Sequence, residues 1–178
     1  KNKFLGTFGT FSTQSFHETK NITCGEGGAL FINDAEYIER AEIIFDKGTN
    51  RRDFLKKQVD KYSWVDIGSS YRLSDLLAAF LFGQLENSEK IQNKRKKIWQ
   101  KYYSLLEKWA LTNNVLLPFI PSHCQSSYHM FYLVMPSGES RDKLIAWLDK
   151  NKINSVFHYL PLHKSIMSHN SGWDNSRC

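Results

Sequence analysis

The hydrophobic pattern of the first fifty residues predicts two short strands followed by a helix. Residues 8–16 are rich in Phe, Thr and Ser, and residues 29–32 read Ala-Leu-Phe-Ile, so both favour extended structure. Apolar residues then recur at helical spacing over residues 37–45, after Asn33 as the predicted N-cap. The stretch between the strands, residues 20–28, is a predicted loop.

The middle of the chain is predicted to form a loop and then two helices. Residues 49–70 show no sustained period and are predicted to be loop. Ser74 is the predicted cap of a helix over residues 76–82, which is apolar nearly all round and is therefore expected to be buried. A long amphipathic helix is predicted over residues 87–109.

The last third of the chain is predicted to alternate strand, helix and strand. Residues 128–135 and 153–159 are apolar runs of strand length, and Ser140 is the predicted cap of the helix between them. Residues 165–178 are polar and predict a surface loop. The whole pattern indicates an α/β protein.

Composition favours a globular protein and sets limits on its partners. The 178 residues suffice for one ordinary domain with a real core, and 41% of them are hydrophobic. We expect no membrane span and no secretory signal; the chain lacks an initial Met and reads as if it begins inside a domain. Three widely spaced cysteines favour a reducing cytoplasm, and no His or Cys spacing predicts a metal site.

The net charge of +6 is compatible with several anionic partners. Pyridoxal phosphate (PLP), a nucleotide diphosphate and nucleic acid would all be attracted by a basic surface. Much of the excess lies in residues 94–97, Lys-Arg-Lys-Lys, which are predicted to form the solvated side of the long helix. Charge alone therefore does not choose among these partners.

One lysine stands where carbonyl chemistry is plausible. Lys20 ends the hexamer Ser-Phe-His-Glu-Thr-Lys that starts at Ser15, and Gly-Glu-Gly-Gly follows at residues 25–28. A lysine amine becomes nucleophilic when it is desolvated, and its commonest cofactor use is a Schiff base with PLP. Ser15 would suit the cofactor phosphate. On this pattern alone, a solvated surface lysine beside an ordinary turn remains the alternative.

Several segments together resemble one enzyme family. The matching segments are residues 15–29, 39–44, 47–51, 59–71 and 156–163. In them the chain is similar to the DegT–StrS nucleotide-sugar aminotransferases, which are fold-type-I PLP enzymes. The Lys-Tyr-Ser-Trp and Ile-Gly-Ser-Ser-Tyr stretches resemble the subgroup that makes dTDP-4-amino-4,6-dideoxygalactose from dTDP-4-keto-6-deoxyglucose.

The resemblance implies a partial fold of the aspartate-aminotransferase type. Residues 1–84 would be the C-terminal part of the large PLP-binding domain. Residues 85–178 would be a connecting helix and most of a truncated small C-terminal domain. The family's upstream half, which supplies a phosphate-binding turn, a ring-stacking aromatic and a carboxylate for the pyridine nitrogen, is not in this sequence.

The resemblance also implies roles for residues near the cofactor. Lys20 would carry PLP and shuttle a proton, and Ser15 would bind the cofactor phosphate, although a hydroxyl satisfied by backbone is the alternative. His17 would either line the site or be a packed, hydrogen-bonded histidine. Ser70 stands where the family usually has an asparagine that reaches the partner subunit's cofactor phosphate, and the role is carried over to its shorter side chain.

Three further residues are implied to contact substrate. His163 stands where the family has a histidine near the substrate, with a surface histidine as the alternative. Tyr62 and Trp64 would pack against the sugar or base, or else simply fill a loop.

The implied activity is PLP-dependent transamination of a dTDP-4-keto-6-deoxyhexose, with glutamate as amino donor. The product would be dTDP-4-amino-4,6-dideoxygalactose for O-antigen or enterobacterial common antigen. A cytoplasmic homodimer with shared active sites is expected, without nucleic-acid or membrane partners. The alternatives are an inactive fragment of a disrupted aminotransferase gene and, more distantly, a basic nucleic-acid-binding module.

Overall fold

The computed structural model describes residues 3–171, and these form two compact units. One unit contains the described residues up to Ser104 together with Phe119–Phe131. The other contains Leu105–Pro118 together with the described residues from Tyr132 onward. The expected division between residues 84 and 85, which concerns the family's domains, stays a prediction.

The first unit begins with a two-stranded antiparallel sheet. Strand β1, Phe11–Ser15, pairs with β2, Gly28–Ile32, so that Ser15 lies opposite Gly28 at the end where the loop containing Lys20 emerges. Both predicted strands are confirmed, with β1 shorter than expected. This hairpin presents the lysine loop.

A one-turn 3-10 helix, Ala35–Tyr37, leads into helix α1, Ile38–Phe45. The predicted N-cap is wrong by one residue, because Asp34 accepts the hydrogen bond from the Glu36 amide (3.1 Å). The side-chain amide of Asn33 instead donates to the backbone carbonyls of Gly6 and Gly9, which precede β1. A short helix α2, Arg51–Leu55, lies in the region predicted to be loop.

Helix α3, Asp75–Glu86, is capped by Ser74 as predicted, with the Leu77 amide 3.4 Å from the Ser74 hydroxyl. Its predicted burial is wrong within the described chain. Leu76, Phe80 and Phe82 expose 84%, 56% and 63% of their surface, and no residue of α3 is buried. Leu77 and Leu81 of the same helix are half-buried. The three exposed side chains are called the α3 apolar surface below.

Helix α4, Ser88–Thr112, is the predicted long helix and starts in the first unit. Near its middle, Trp99 stacks on Tyr103 and meets Tyr128 and Phe131 edge-on, with ring centroids 5.4–5.6 Å apart. The Trp99 indole N–H also donates to the Met130 carbonyl (3.0 Å). These contacts fix residues 128–131 against α4.

The second unit contains helix α5, Gly138–Lys150, a 3-10 turn, Leu162–Lys164, and helix α6, Ile166–Asn170. The cap of α5 is Ser137 rather than the predicted Ser140. In residues 3–171 the predicted strands over 128–135 and 153–159 do not form, apart from one bridge between Leu116 and Val134. A strand needs a hydrogen-bonding neighbour, and the described chain supplies little of one.

The apolar interior of the described chain is small. Among residues 3–171, only Cys24, Ala110 and Val115 are buried hydrophobic residues. The expectation of a full core within these 178 residues is therefore wrong. The polar tail expected over 165–178 begins with α6, and its end, residues 172–178, lies outside the described residues.

Candidate active site

The loop that carries Lys20 is closed by backbone hydrogen bonds at its base. The Phe16 amide donates to the Gly27 carbonyl (2.7 Å), and the Glu18 amide donates to the Gly25 carbonyl (2.8 Å). The Lys20 amide then turns back onto the His17 carbonyl (2.9 Å). Lys20 is thus carried by a turn of defined backbone conformation.

Packing behind the turn explains its glycines. Gly25 has φ +87°, in the left-handed region that favours glycine. A Cβ on Gly27 would lie 2.7 Å from the Cys24 sulfur and 3.2 Å from Leu73 Cδ1. Cys24 is only 3% exposed, so its side chain packs in the interior behind the turn. The Leu73 contact brings the segment after Ser70 against the lysine loop.

The side chains around Lys20 leave its amine available. Lys20 is half-buried, and within residues 3–171 its amine has no hydrogen-bond or ion-pair partner. The Ser15 hydroxyl is exposed and accepts from the His17 amide (3.3 Å). His17 Nδ1 accepts from the Thr19 amide (3.3 Å) and lies 3.0 Å from its hydroxyl, and Nε2 is 3.5 Å from Glu26. His17 is therefore hydrogen-bonded within the loop, the second of its two expected roles.

A second segment, residues 61–72, is held along the C-terminal end of α1 by backbone contacts. The Val65 and Asp66 amides both donate to the Gly48 carbonyl, at 2.8 and 2.9 Å. The Lys47 amide donates to the Ser69 carbonyl (3.1 Å). These bonds, with isolated β-bridges between Asp46 and Ser70 and between Thr49 and Trp64, fix an irregular segment.

Two glycines allow this close backbone approach. Gly48 has φ +72°, and a Cβ there would overlap the Asp66 carbonyl. A Cβ on Gly68 would overlap the Gly48 backbone nitrogen. Neither position has space for any side chain, so the shape of the segment depends on both.

A buried carboxylate, Asp46, stabilises the same junction and was not identified from the sequence. Asp46 is 5% exposed, and its carboxylate lies 2.8 Å from Arg72 Nη2 and 3.7 Å from Arg51 Nη1. The hydrogen bond from Arg72 is the main reason that the pKa of Asp46 lies below its usual value. The available signal was an aspartate at a helix end with arginines at 51 and 72.

The structure places the predicted site residues in three groups. Ser15 and Lys20 share the lysine loop. Tyr62, Trp64 and Ser70 share the segment 61–72 and are all exposed; the Trp64 indole donates to the Asp66 carbonyl (2.5 Å). His163 lies in the second unit, half-buried in its 3-10 turn.

Residues 3–171 contain neither a candidate metal site nor a membrane-spanning helix. They contain no group of three or more His, Cys, Asp or Glu side chains arranged to hold a metal ion. No helix among them is long and apolar enough to cross a membrane.

Comparisons with known proteins found several similar chains. The dTDP-4-dehydro-2,3,6-trideoxy-D-glucose 4-aminotransferase of Saccharopolyspora spinosa is 30% identical over 164 residues, which cover 89% of this chain and 42% of that protein. The Helicobacter pylori aminotransferase PseC, involved in the biosynthesis of pseudoaminic acid, superposes with a TM-score of 0.78 at 28% identity, covering 96% of this chain and 44% of that one. The Streptococcus pneumoniae protein Spr1654 in its PMP form gives 0.80 at 25% identity, covering 98% and 45%.

The chain thus spans a little over two fifths of the length of these relatives. Their folds confirm the expected partial fold-type-I architecture, and the solved PLP and PMP forms confirm the cofactor class of the family. The model of the DegT/DnrJ/EryC1/StrS aminotransferase family matches residues 1–177. The chain therefore belongs to the DegT/DnrJ/EryC1/StrS aminotransferase family.

Proposed function

We propose that this chain supplies the cofactor-binding lysine of a PLP-dependent nucleotide-sugar aminotransferase. The carrying observation is Lys20, a half-buried amine without a partner among residues 3–171, presented by a hydrogen-bonded glycine turn. The amino acceptor is a dTDP-linked 4-keto-6-deoxyhexose and the donor is glutamate. The product, dTDP-4-amino-4,6-dideoxygalactose, serves surface polysaccharide such as O-antigen or enterobacterial common antigen.

The residues present fit this cofactor chemically. Pyridoxal phosphate, when bound, supplies an electron sink for carbanion chemistry. Lys20 would hold its aldehyde carbon, and the exposed Ser15 hydroxyl would donate to its phosphate. Once displaced by the amino donor, Lys20 Nζ would take the proton from the donor carbon that carries nitrogen, and later deliver a proton to the sugar carbon that receives nitrogen.

Only some of the basic residues in and around the segment 61–72 are available to bind a diphosphate. Arg51 and Arg52 are both engaged by carboxylates at the end of α1. Lys47 lies near the same buried carboxylate, whereas the Lys61 ammonium has no ion-pair partner among residues 3–171. Lys61 is therefore the best-placed cation of this segment for a diphosphate.

Exposed aromatic surface supports a sugar or base site in the same segment. Trp64 exposes 78% of its surface, and Tyr62 is exposed beside the Phe54 ring. Nucleotide-linked sugars also appear in the names of two relatives, the S. spinosa 4-aminotransferase and the H. pylori UDP-4-amino-4,6-dideoxy-N-acetyl-β-L-altrosamine transaminase. His163, in the second unit, stays a proposed substrate contact.

The substrate is tested by positional selectivity. Full-length protein is incubated with glutamate, PLP and either the 4-keto or the isomeric 3-keto dTDP-6-deoxyhexose, and the amino sugar is identified by NMR. Amination at C4 is expected, because a site that hydrogen-bonds sugar hydroxyls discriminates strongly between positional isomers. Amination only at C3, or no turnover of either sugar, would reject the proposed substrate.

We further propose that the active protein is a homodimer whose sites are shared between subunits. Two residues of the exposed α3 apolar surface, Leu76 and Phe80, lie one turn apart on the helix and support this, since neighbouring exposed apolar residues mark interaction surfaces. Ser70 is exposed on a backbone fixed by the Gly48 contacts, so it can reach beyond its own chain. A cytoplasmic location is supported by the free thiols of Cys24 and Cys124.

Subunit mixing tests the shared site. Lys20→Ala and Ser70→Ala subunits are each assayed alone, then exchanged and assayed together. A mixed dimer with shared sites has one site with both lesions and one intact site, so activity returns. If both single variants are inactive and confirmed exchange restores nothing, Ser70 does not act across the dimer.

A further inference from the structure

The residue after Lys20 makes long-range side-chain contacts. Asn21 Nδ2 donates to the Ser127 carbonyl (2.6 Å) and to Gln92 Oε1 (3.0 Å). Asn21 Oδ1 lies 2.8 Å from His129 Nδ1, which donates when that nitrogen carries its proton. One side chain therefore joins the lysine loop to helix α4 and to residues 127–129.

The contacts of Asn21 differ from the other contacts of the loop. The bonds at Phe16, Glu18 and Cys24 close the base of the loop on itself. The Lys20 amide also bonds within the loop, to His17. The hydrogen bonds of Asn21, in contrast, reach partners 71 to 108 residues away.

The far side of this contact is itself fixed. The His129 carbonyl accepts from Arg95 (3.3 Å), and the Met130 carbonyl accepts from the Trp99 indole (3.0 Å). Tyr128 meets the Trp99 ring edge-on. Residues 128–130 are thus attached to α4 next to the two atoms of Ser127 and His129 that Asn21 contacts, and they can transmit a defined position to the loop.

We propose that Asn21 and His129 form a positioning clasp that sets where the Lys20 amine lies. Neither residue contacts reacting atoms in this role; they act through the backbone that Lys20 and Asn21 share. The catalytic part of the inference rests on the proposed function, because it needs Lys20 to be the cofactor-binding amine. Displacing such a group by about 1 Å can cost on the order of 100-fold in rate.

The test compares two asparagines in the full-length protein. Asn21→Ala removes the clasp. Asn33→Ala is the matched control, since the Asn33 amide makes two similar hydrogen bonds, to the Gly6 and Gly9 carbonyls (2.8 and 2.7 Å), away from Lys20. His129→Phe removes one of the three contacts of Asn21, the one between Asn21 Oδ1 and His129 Nδ1, and serves if Asn21→Ala does not fold.

Two readouts are taken for each variant. The acetylation rate of Lys20 in cofactor-free protein is measured by peptide mass spectrometry, and kcat and KM are measured with saturating PLP. For Asn21→Ala and His129→Phe we expect Lys20 acetylation to rise several-fold and kcat to fall roughly 10- to 100-fold, with KM for glutamate within about threefold. Asn33→Ala should change neither.

The two proposals fail in distinguishable ways. Equal Lys20 acetylation and equal kcat in the Asn21→Ala and Asn33→Ala proteins would overturn the clasp. A kcat loss without any change in Lys20 acetylation would also overturn it, because the amine would not have moved. If borohydride places the cofactor on another lysine, the proposed function fails, and the acetylation comparison still decides whether the clasp positions Lys20.

Discussion

The lysine loop and helix α3 lie in the same unit and are built in opposite ways. The loop is closed by backbone hydrogen bonds, Gly27 packs on Cys24, and Cys24 is 3% exposed. Helix α3 is twelve residues of largely apolar sequence, yet none of them is buried and Leu76 is 84% exposed. The base of the loop is thus closed by nearby residues, whereas Leu76, Phe80 and Phe82 of α3 stay exposed within residues 3–171.

The largest effect is expected from separating the chain from the rest of the protein. The 178-residue chain alone should transaminate at least about 1,000-fold more slowly than full-length protein and bind PLP poorly, because electrostatic preorganisation usually dominates catalysis and the chain provides one amine and one hydroxyl. The assay follows 2-oxoglutarate formation from glutamate. Turnover close to that of full-length protein would show that the 178-residue chain needs no further residues for activity, either to complete the site or to cover α3.

The next largest effect is expected at Gly48. Gly48→Ala should lower the free energy of unfolding by more than about 3 kcal/mol, because its Cβ overlaps the Asp66 carbonyl at a positive φ. Gly83→Ala is the control: no atom lies within 4 Å of its Cβ in α3, and about 0.5–1 kcal/mol of stabilisation is expected. Urea unfolding measures both. A similar change in both variants would contradict the close backbone approach.

A charge on the α3 apolar surface should weaken subunit association. Phe80→Glu is expected to raise the dimer dissociation constant about 100-fold or more, since burying a Phe side chain contributes roughly 1.5–3 kcal/mol before the cost of a buried charge is added. Leu111→Glu, at the exposed Leu111 of the other unit, is the control. Analytical ultracentrifugation of full-length proteins decides. If the dissociation constant of the Phe80 variant is unchanged, α3 is not part of the dimer interface.

A smaller, pH-dependent effect is expected at Asp46. Asp46→Asn should lower the free energy of unfolding by about 1 kcal/mol at neutral pH. The loss is small because solvent reaches both arginine partners. The folded pKa is lowered, so this stability is complete above the unfolded pKa of Asp46 and is lost as pH falls through the folded value. The free energies of unfolding of the Asp46→Asn variant and the unaltered protein should therefore become equal at acidic pH.

The control for Asp46 is Glu139→Gln, which breaks an exposed pair with Lys143 on α5 and should change stability by no more than about 0.5 kcal/mol. Stability is measured by urea unfolding at several pH values. The difference in free energy of unfolding between the Asp46 variant and the unaltered protein should shrink in acid. If it stayed constant down to the most acidic pH, the arginines would not be stabilising the ionised carboxylate.

The sequence predicted what depends on neighbouring residues. The strands on either side of the lysine loop and the Ser74 cap follow from local pattern. The strand expected over 128–135 did not form, because an apolar run shows strand propensity but not whether a hydrogen-bonding neighbour exists.

The parts that were missed are long-range. The contact between Asp46 and Arg72 joins residues 26 apart, and the contact between Asn21 and His129 joins residues 108 apart. Hydrophobic periodicity carries no information about such pairings. The prediction that α3 is buried was wrong for a related reason. Composition shows that an apolar surface tends to be covered, but it does not show which residues cover it.

The attachment point of the cofactor tests the account most directly. Full-length protein is loaded with PLP, reduced with borohydride, digested and mapped by mass spectrometry. The pyridoxyl group is expected on Lys20, because its half-buried amine has no partner among residues 3–171 and the glycine turn presents it. A pyridoxyl group on Lys47, Lys61 or any other lysine, with Lys20 unmodified, would contradict the assignment.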